Sequence, residues 1–294
     1  MGIKGFFKVF GSSSTKFNNK EYNGSRVGVD ASCEIYRASL GAMNVLTSGG
    51  ENTALYNILL QSIVSYRVKF GVRGLIYIFD HPDQNPMKIE ENKKRRESRK
   101  KCALRTDSKH KKDKFSFKIT GEIIDNVKTL LNLLGVAWVV APKGYEAEHM
   151  GAHLSKIGII DIFVTGDSDA LTFGTGNILV RERKSGRATL KLYNLKKILD
   201  DFNLDMESFV HICVVMGTDF APKTPRIGVK TILKKGPEAE LTLKQETAKK
   251  YFLSECPFDL KWIHKESFNK EELIKWLVEK EFNIERLEKM LVGY

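Results

Sequence analysis

Cysteine is scarce and scattered. Cys33, Cys102, Cys213 and Cys256 lie far apart, and none belongs to a CxxC pair. That spacing argues against a zinc site or a disulfide framework and fits a reducing intracellular compartment. Long apolar runs are also missing. The longest mostly apolar stretch, LLNLLGVAWVVA from Leu130 to Ala141, falls short of the ~20 residues that a membrane-spanning helix needs. The amino terminus, MGIKGFFKVFGSSS, has no small-residue cleavage site behind a long apolar region, so it does not read as a secretory signal. Met1-Gly2 opens like a myristoylation signal, but Phe6 stands where Ser or Thr is expected. Acidic residues are in deficit: 36 Asp and Glu against 48 Lys and Arg leave a net charge of +12. The excess calls for an anionic partner, either nucleic acid or a membrane surface. With 294 residues, 42 % apolar and 29 % charged, the chain has the make-up of a soluble globular protein of one large domain or two small ones.

The positive charge is concentrated. From Lys88 to Lys118, KIEENKKRRESRKKCALRTDSKHKKDKFSFK holds 14 Lys or Arg and 5 Asp or Glu, which is +9 of the total +12. Its first half is made of good helix formers without Gly or Pro. Its middle, RTDSKHKKDK, has almost no apolar residues and so no face to bury. The expectation is a helix followed by a mobile, solvated segment that rejoins the body at Phe115 and Phe117. No amphipathic apolar face accompanies the run, which weighs against the membrane-surface alternative.

Three apolar runs end in acid. Val27–Val29 leads into Asp30, Leu75–Phe79 into Asp80, and Ile162–Val164 into Asp167 and Asp169. Such β-rich runs, separated by helical patterns over 52–70, 121–134 and 146–156, predict a mostly parallel sheet covered by helices. In sheets of that kind the functional crevice lies beyond the carboxyl ends of the strands. Glu146 and Glu148 open a helix after the strand VAWVVA and reach the same edge. A single aspartate after a strand is commonly a helix cap or a turn residue. Six converging carboxylates repel one another, and divalent cations relieve the conflict. Oxygen-only ligation favours Mg2+ or Mn2+ over zinc. Two such ions ~4 Å apart suit in-line phosphodiester displacement. A basic surface would then hold the backbone that an acidic pocket cuts.

Seven motifs, in order, resemble the flap endonuclease family of structure-specific 5′ nucleases: MGIKGFF, GVDASCEIYR, YIFDHP with its basic run, YEAEHMGAHL, VTGDSDALTFG, VVMGTDFAPKTPRIGVKTIL and NKEELIKWLVEKEFNIERLEKML. The resemblance covers nearly the whole chain. It implies an α/β fold, a mostly parallel central sheet flanked by helices, with a basic helical arch and a helix-hairpin-helix DNA-binding element. It implies a single 5′-nuclease domain over 1–294: an N-terminal nuclease region at 1–105, an arch at about 82–118, an internal region at about 120–240 with the hairpin at about 208–236, and a C-terminal helical region at 241–294. Two Mg2+ ions, which Mn2+ can replace, would be held by Asp30, Asp80, Glu146, Glu148, Asp167, Asp169 and Asp219. Residue patterning alone reads Asp219 as a turn residue. Lys88 and Arg95 match the catalytic cations at the base of the arch, with Lys94 and Arg96 close to the same register. Tyr36 matches an aromatic that stacks on a base. The residues from Gly2 match a segment near the active site.

DNA contacts fall to Arg99, Lys109, Lys111 and Lys112 in the arch and to Arg226, Gly228 and Lys230 in the hairpin. The expected activity is hydrolysis of branched or nicked double-stranded DNA with a 5′ single-stranded end, by a monomer acting in the nucleus or at a site of viral DNA replication. A 5′→3′ exonuclease, a junction resolvase and a catalytically silent DNA-binding scaffold are the alternatives. Three departures stand out: the arch is short, Pro142 to Glu146 is widely spaced, and no clamp-binding tail is seen before Tyr294. A compact, clamp-independent member is implied, of the kind common among large DNA viruses. In the hairpin, Arg226 occupies the place of the first glycine of a Gly-apolar-Gly turn.

Overall fold

A computed structural model of the chain describes residues 2–42, 53–104, 118–184, 187–282 and 284–294. Its centre is a seven-stranded sheet in the order β1-β7-β6-β5-β2-β3-β4. The strands are β1 (Thr15–Lys16), β2 (Arg26–Asp30), β3 (Gly74–Phe79), β4 (Ala137–Val140), β5 (Ile162–Val164), β6 (Asn177–Lys184) and β7 (Arg187–Asn194). Parallel pairing joins β6 through β5, β2 and β3 to β4, with Val27 opposite both Leu75 and Ile162. The β6–β7 and β1–β7 pairs are antiparallel. The three acid-ended runs therefore form strands within a residue of the expected limits. Because β2, β3, β4 and β5 are parallel, their carboxyl ends meet at one edge. The strand order reverses between β5 and β2, the switch point where such sheets open a crevice.

Both faces of the sheet are buried, and strand alternation divides the core in two. Ile76 and Ile78 of β3 face one cluster, with Phe163, Met150, Leu154, Phe209 and Val214. Leu75, Tyr77 and Phe79 face the other, with Val29, Ile35, Leu59, Leu130 and Leu273. Helix Ala147–Lys156 rides on the first face, and Gly151 lets it come close: a Cβ there would meet the Phe163 ring at 2.7 Å. On the second face lie Ala31–Ala42, Thr53–Val64, Gly121–Leu133 and Lys270–Glu279. The helix expected over 52–70 runs from Thr53 to Val64 and then widens into a π-helical turn, Ser65–Lys69. Thr120 caps the helix expected at 121–134, accepting from the Ile123 N–H at 3.3 Å.

The first half of the basic run forms the helix Ile89–Leu104, preceded by a short 3-10 turn at Pro86–Lys88. Its polar middle, RTDSKHKKDK, lies outside the described residues, and so do Lys109, Lys111 and Lys112. In the hairpin region the helix Met206–Met216 is followed by a loop and by a second helix of four residues, Ile232–Lys235.

Candidate active site

The parallel strand ends deliver their acids to one place. Asp30 closes β2 and is fixed on both oxygens, accepting from the Cys33 N–H at 2.9 Å and the Thr165 hydroxyl at 2.9 Å. Asp80 follows β3 and accepts from the Ser32 hydroxyl at 2.7 Å and from the Ala147 N–H at 2.9 Å. The second bond ties it to the start of helix Ala147–Lys156, where Glu146 is the cap residue and Glu148 lies in the first turn. After β5, Thr165 accepts from the Asp167 N–H at 3.1 Å, and Asp167 accepts from the Asp169 N–H at 3.0 Å. Asp219 arrives from elsewhere, three residues after the helix Met206–Met216. Its turn is held by the Thr218 hydroxyl, which accepts from the Phe220 and Ala221 N–H groups.

Asp167, Asp169 and Asp219 each place one carboxylate oxygen within 4.8 Å of the others, and all three are buried. Both oxygens of Asp169 are buried and meet no hydrogen-bond donor among the described residues. A buried polar group left in that condition is costly, and a cation is one way to satisfy it.

The arch supplies the positive side. Lys88 Nζ lies 2.6 Å from Glu146 Oε2, 3.6 Å from Asp219 Oδ2 and 4.6 Å from the centre of the Phe220 ring. Arg95 pairs with Asp219 and, at 3.5 Å, with Glu91. Arg95 and Arg99 are four residues apart on the helix and share one face, and Lys88 precedes them in the 3-10 turn. Lys94 and Arg96 are exposed on other sides of the helix, so of these four cations Lys88 and Arg95 are the two seen to pair with the expected carboxylates. Asn85 anchors the entry to the arch. It accepts from the Met87 N–H and donates to the Gly144 carbonyl and the Tyr251 hydroxyl, each at 3.0 Å.

The sequence matches the XPG N-terminal domain over residues 1–102 and the XPG I-region over residues 135–219. Mouse flap endonuclease 1 is 30 % identical over 291 residues, covering 91 % of this chain and 73 % of the mouse protein. The chain belongs to the flap endonuclease family. Flap endonuclease 1 of Glycine max is 32 % identical over 256 residues, 80 % of this chain and 65 % of its own. Among solved structures, flap endonuclease-1 from Methanococcus jannaschii has a TM-score of 0.70 at 22 % identity, covering 94 % of this chain and 93 % of its own. The catalytic core of Rad2 in complex with DNA substrate has a TM-score of 0.76 at 18 % identity, covering 99 % of both chains. The last two likenesses concern the fold. As a family member the protein is a structure-specific 5′ nuclease, a phosphodiester hydrolase.

Nucleases of this family are metal-dependent, and the electrostatics of the site fit that need. Burial, then Asp80, pushes the Asp30 carboxyl up to about 7. Burial raises Glu146 to about 7 against the pull of Lys88. Burial also raises Glu148, with Asp30, Asp167 and Asp80 adding to it, and raises Asp169, with Asp167 adding to it. Asp167 is raised by burial too, and Lys88 opposes the shift. Burial works to lower the Lys88 ammonium, but Glu146, Asp169, Glu148 and Asp167 together hold it well above its ordinary value. Each of the seven expected carboxylates therefore acts electrostatically on at least one other: Asp30, Asp80, Glu146 and Glu148 are connected through Asp167 to Asp169 and Asp219. The cluster of Asp167, Asp169 and Asp219 offers oxygen alone, which suits a hard divalent cation.

Other expected residues fall around this centre. Tyr36 is half-buried on helix Ala31–Ala42, and Arg99 of the arch lies 5.9 Å from its ring centre. Gly2, at φ 80°, is pressed against the site: a Cβ there would meet Asp167 Oδ1 at 2.0 Å. The Ile3 N–H donates to the Ser168 hydroxyl at 2.9 Å. Arg226 and Lys230 are exposed on the hairpin loop, and Gly228 is half-buried. Sequence reading missed Ser32, Asn85, Thr165 and Phe220. The first three are polar residues beside a strand end or a turn, a weak signal that becomes specific only once their partners are seen.

No described helix is long and apolar enough to cross a membrane.

Proposed function

We propose that the protein uses two Mg2+ ions, with Mn2+ as a substitute, to cut branched DNA at 5′ flaps, nicks and gaps. The observation that carries this is the buried, donor-free carboxylate of Asp169 beside Asp167 and Asp219, faced by Lys88 and Arg95 of the arch. Asp167, Asp169 and Asp219 would hold metal on one side, and Asp30, Asp80, Glu146 and Glu148 on the other. Divalent cations bound there would supply water activation and charge neutralisation at the scissile phosphate. Asp30 and Asp80 are kept in place by Cys33, Thr165, Ser32 and Ala147, so the carboxylates need little reorganisation. Lys88 and Arg95 would turn their donors to the phosphate oxygens as negative charge builds there.

Tyr36 would stack on a base near the cut, and Arg99 beside it would follow the backbone. Lys94 and Arg96, exposed along the arch, would add further phosphate contacts, and Lys109, Lys111 and Lys112 would guide the single-stranded 5′ end. Arg226, Gly228 and Lys230 would hold the downstream duplex by its backbone, without reading bases. The protein would work as a monomer in the nucleus or at a site of viral DNA replication.

A panel of end-labelled 5′-flap, nicked, gapped and four-way substrates, with Mg2+ and with EDTA, tests the reading. Mg2+-dependent incision near the base of the flap is expected. Preferential cutting of the four-way substrate would move the protein to the resolvase reading. Absence of cutting on every substrate in Mg2+ and Mn2+ would leave a binding scaffold.

A further inference from the structure

Away from the carboxylates, on the other face of the sheet, a cavity of about 420 Å³ opens between helix Thr53–Val64, its π-helical extension and the β6–β7 hairpin. Its size falls within the range of small-molecule sites. Its charge is what distinguishes it. Glu34 lies one helical turn beyond Asp30 and is buried on a helix face whose other buried residues are Ala31, Ile35, Ala38, Ser39 and Ala42. It takes two bonds from Arg37 and a third from the Ser62 hydroxyl at 2.7 Å. A buried carboxylate is a poor stabiliser on its own account. Here it clamps the guanidinium of Arg37, a residue of the cavity wall, in one orientation and leaves its remaining N–H donors free of Glu34.

Arg181 of β6 also lines the cavity and acts on the same carboxylate, Glu34, at longer range than Arg37 does. Two guanidiniums thus face one carboxylate, so the cavity carries about one unbalanced positive charge, with Arg37 pre-oriented. Ile58, Phe70 and Leu190 give it an apolar wall, and the side-chain amides of Asn19 and Gln61 stand on the same lining. The widened turn Ser65–Lys69 contributes Ser65 and Tyr66, and irregular helical turns of this kind are often placed at functional sites.

We propose that this cavity binds an organic phosphate of mononucleotide size, its phosphate on Arg37 and Arg181 and its base against Ile58, Phe70 and Leu190. The nucleotide can be free in solution or the phosphorylated terminal residue of a strand; the recognising chemistry is the same. Asn19 and Gln61 would meet hydrogen-bonding edges of the base or sugar.

Calorimetric titration in EDTA tests this with three probes: dTMP, a 5′-phosphorylated short oligonucleotide and inorganic phosphate. The key variant is Arg181→Gln, because Arg181 is exposed and its removal leaves no buried charge unpaired. The double variant Glu34→Gln with Arg37→Gln removes the second guanidinium together with its counter-charge. Each is expected to weaken dTMP or the phosphorylated oligonucleotide at least tenfold, as loss of a charge-assisted hydrogen bond does. Inorganic phosphate should bind at least tenfold more weakly than the better of the other two, whose order identifies the source. Asp167→Ala should leave binding unchanged. The proposal fails if neither nucleotide probe binds at millimolar concentration, or if Arg181→Gln has no effect. It also fails if phosphate alone binds as well as dTMP, or if Asp167→Ala abolishes binding and so places the ligand at the carboxylate site.

Discussion

Arg226→Gly separates two roles that one residue combines. Arg226 has φ 63°, a left-handed conformation that side chains with a Cβ seldom adopt. Arg226 stands where the family resemblance expects a glycine, and the turn keeps the positive φ that a glycine would adopt freely, so it carries strain. Pro225 precedes it and Ile227 is partly buried against the core, so the loop is fixed on both sides. Gln245 adds to the restraint, donating to the Pro222 carbonyl at 3.1 Å and the Thr224 hydroxyl at 2.8 Å. The left-handed conformation costs a residue with a Cβ about 1–2 kcal/mol. Glycine removes that cost but adds about 0.4–1 kcal/mol of unfolded-state entropy. The expected net gain in stability is ~0.5–1 kcal/mol, a rise of roughly 1–3 °C in Tm for a chain of this size. An exposed arginine of ordinary conformation would lose stability on the same change. Backbone strain of this kind points to a function that compensates for it, and under the proposed function the exposed Arg226 guanidinium would meet a phosphate. Duplex affinity should therefore fall while stability rises, and the slope of log affinity against log salt should become shallower by ~1. Thermal denaturation and fluorescence anisotropy at four salt concentrations measure both. A variant with unchanged slope and unchanged affinity would refute the phosphate contact. A variant less stable than the parent would refute the strain.

Asp167→Ala should abolish incision in Mg2+ yet bind flap DNA as well as before or better, since a carboxylate that repels phosphate is gone; comparable cutting by the variant would remove Asp167 from the metal site. Lys88→Ala with Arg95→Ala should slow single-turnover cleavage by ~100-fold or more while affinity falls much less; an affinity loss that accounts for the whole defect would reduce both to backbone contacts. The raised carboxyls Asp30 and Glu146 bind more protons in the folded than in the unfolded chain between pH ~4 and about 7. Their contribution to stability is thus fully present below pH ~4 and is lost as pH rises towards 7, at up to ~1.4 kcal/mol per pH unit for each excess proton. Urea denaturation with EDTA and with Mg2+ should show metal stabilisation growing from pH 5 to 7.5, and an equal increment at both ends would contradict it.

The parts of the site that sequence disclosed are those in which local pattern and tertiary position coincide. A buried run such as Leu75–Phe79 both makes a strand and points Asp80 at the shared edge, because parallel strands all end on one side. Asp219 has no such marker. It follows a helix, and only the packing of Met206–Met216 on the sheet carries it to Asp169, so patterning read a turn and the family resemblance alone suggested a ligand. The arch shows the same division. Charge density identified the segment, but which of Lys94, Arg95 and Arg96 faces inward depends on where the helix starts. That is set by Asn85 gripping the Gly144 carbonyl and Tyr251, residues far away in sequence. The β6–β7 hairpin escaped notice because its strands mix charged and apolar residues, with Arg181 to Lys184 paired to Arg187 to Leu190 across an edge half of the sheet. The cavity is the extreme case. Arg37 and Arg181 lie on different elements, and each alone reads as a solvated charge. Only the folded cavity, to which both contribute, brings them together as the pair that the proposal assigns to a phosphate, while the same sheet gathers the carboxylates at its carboxyl edge.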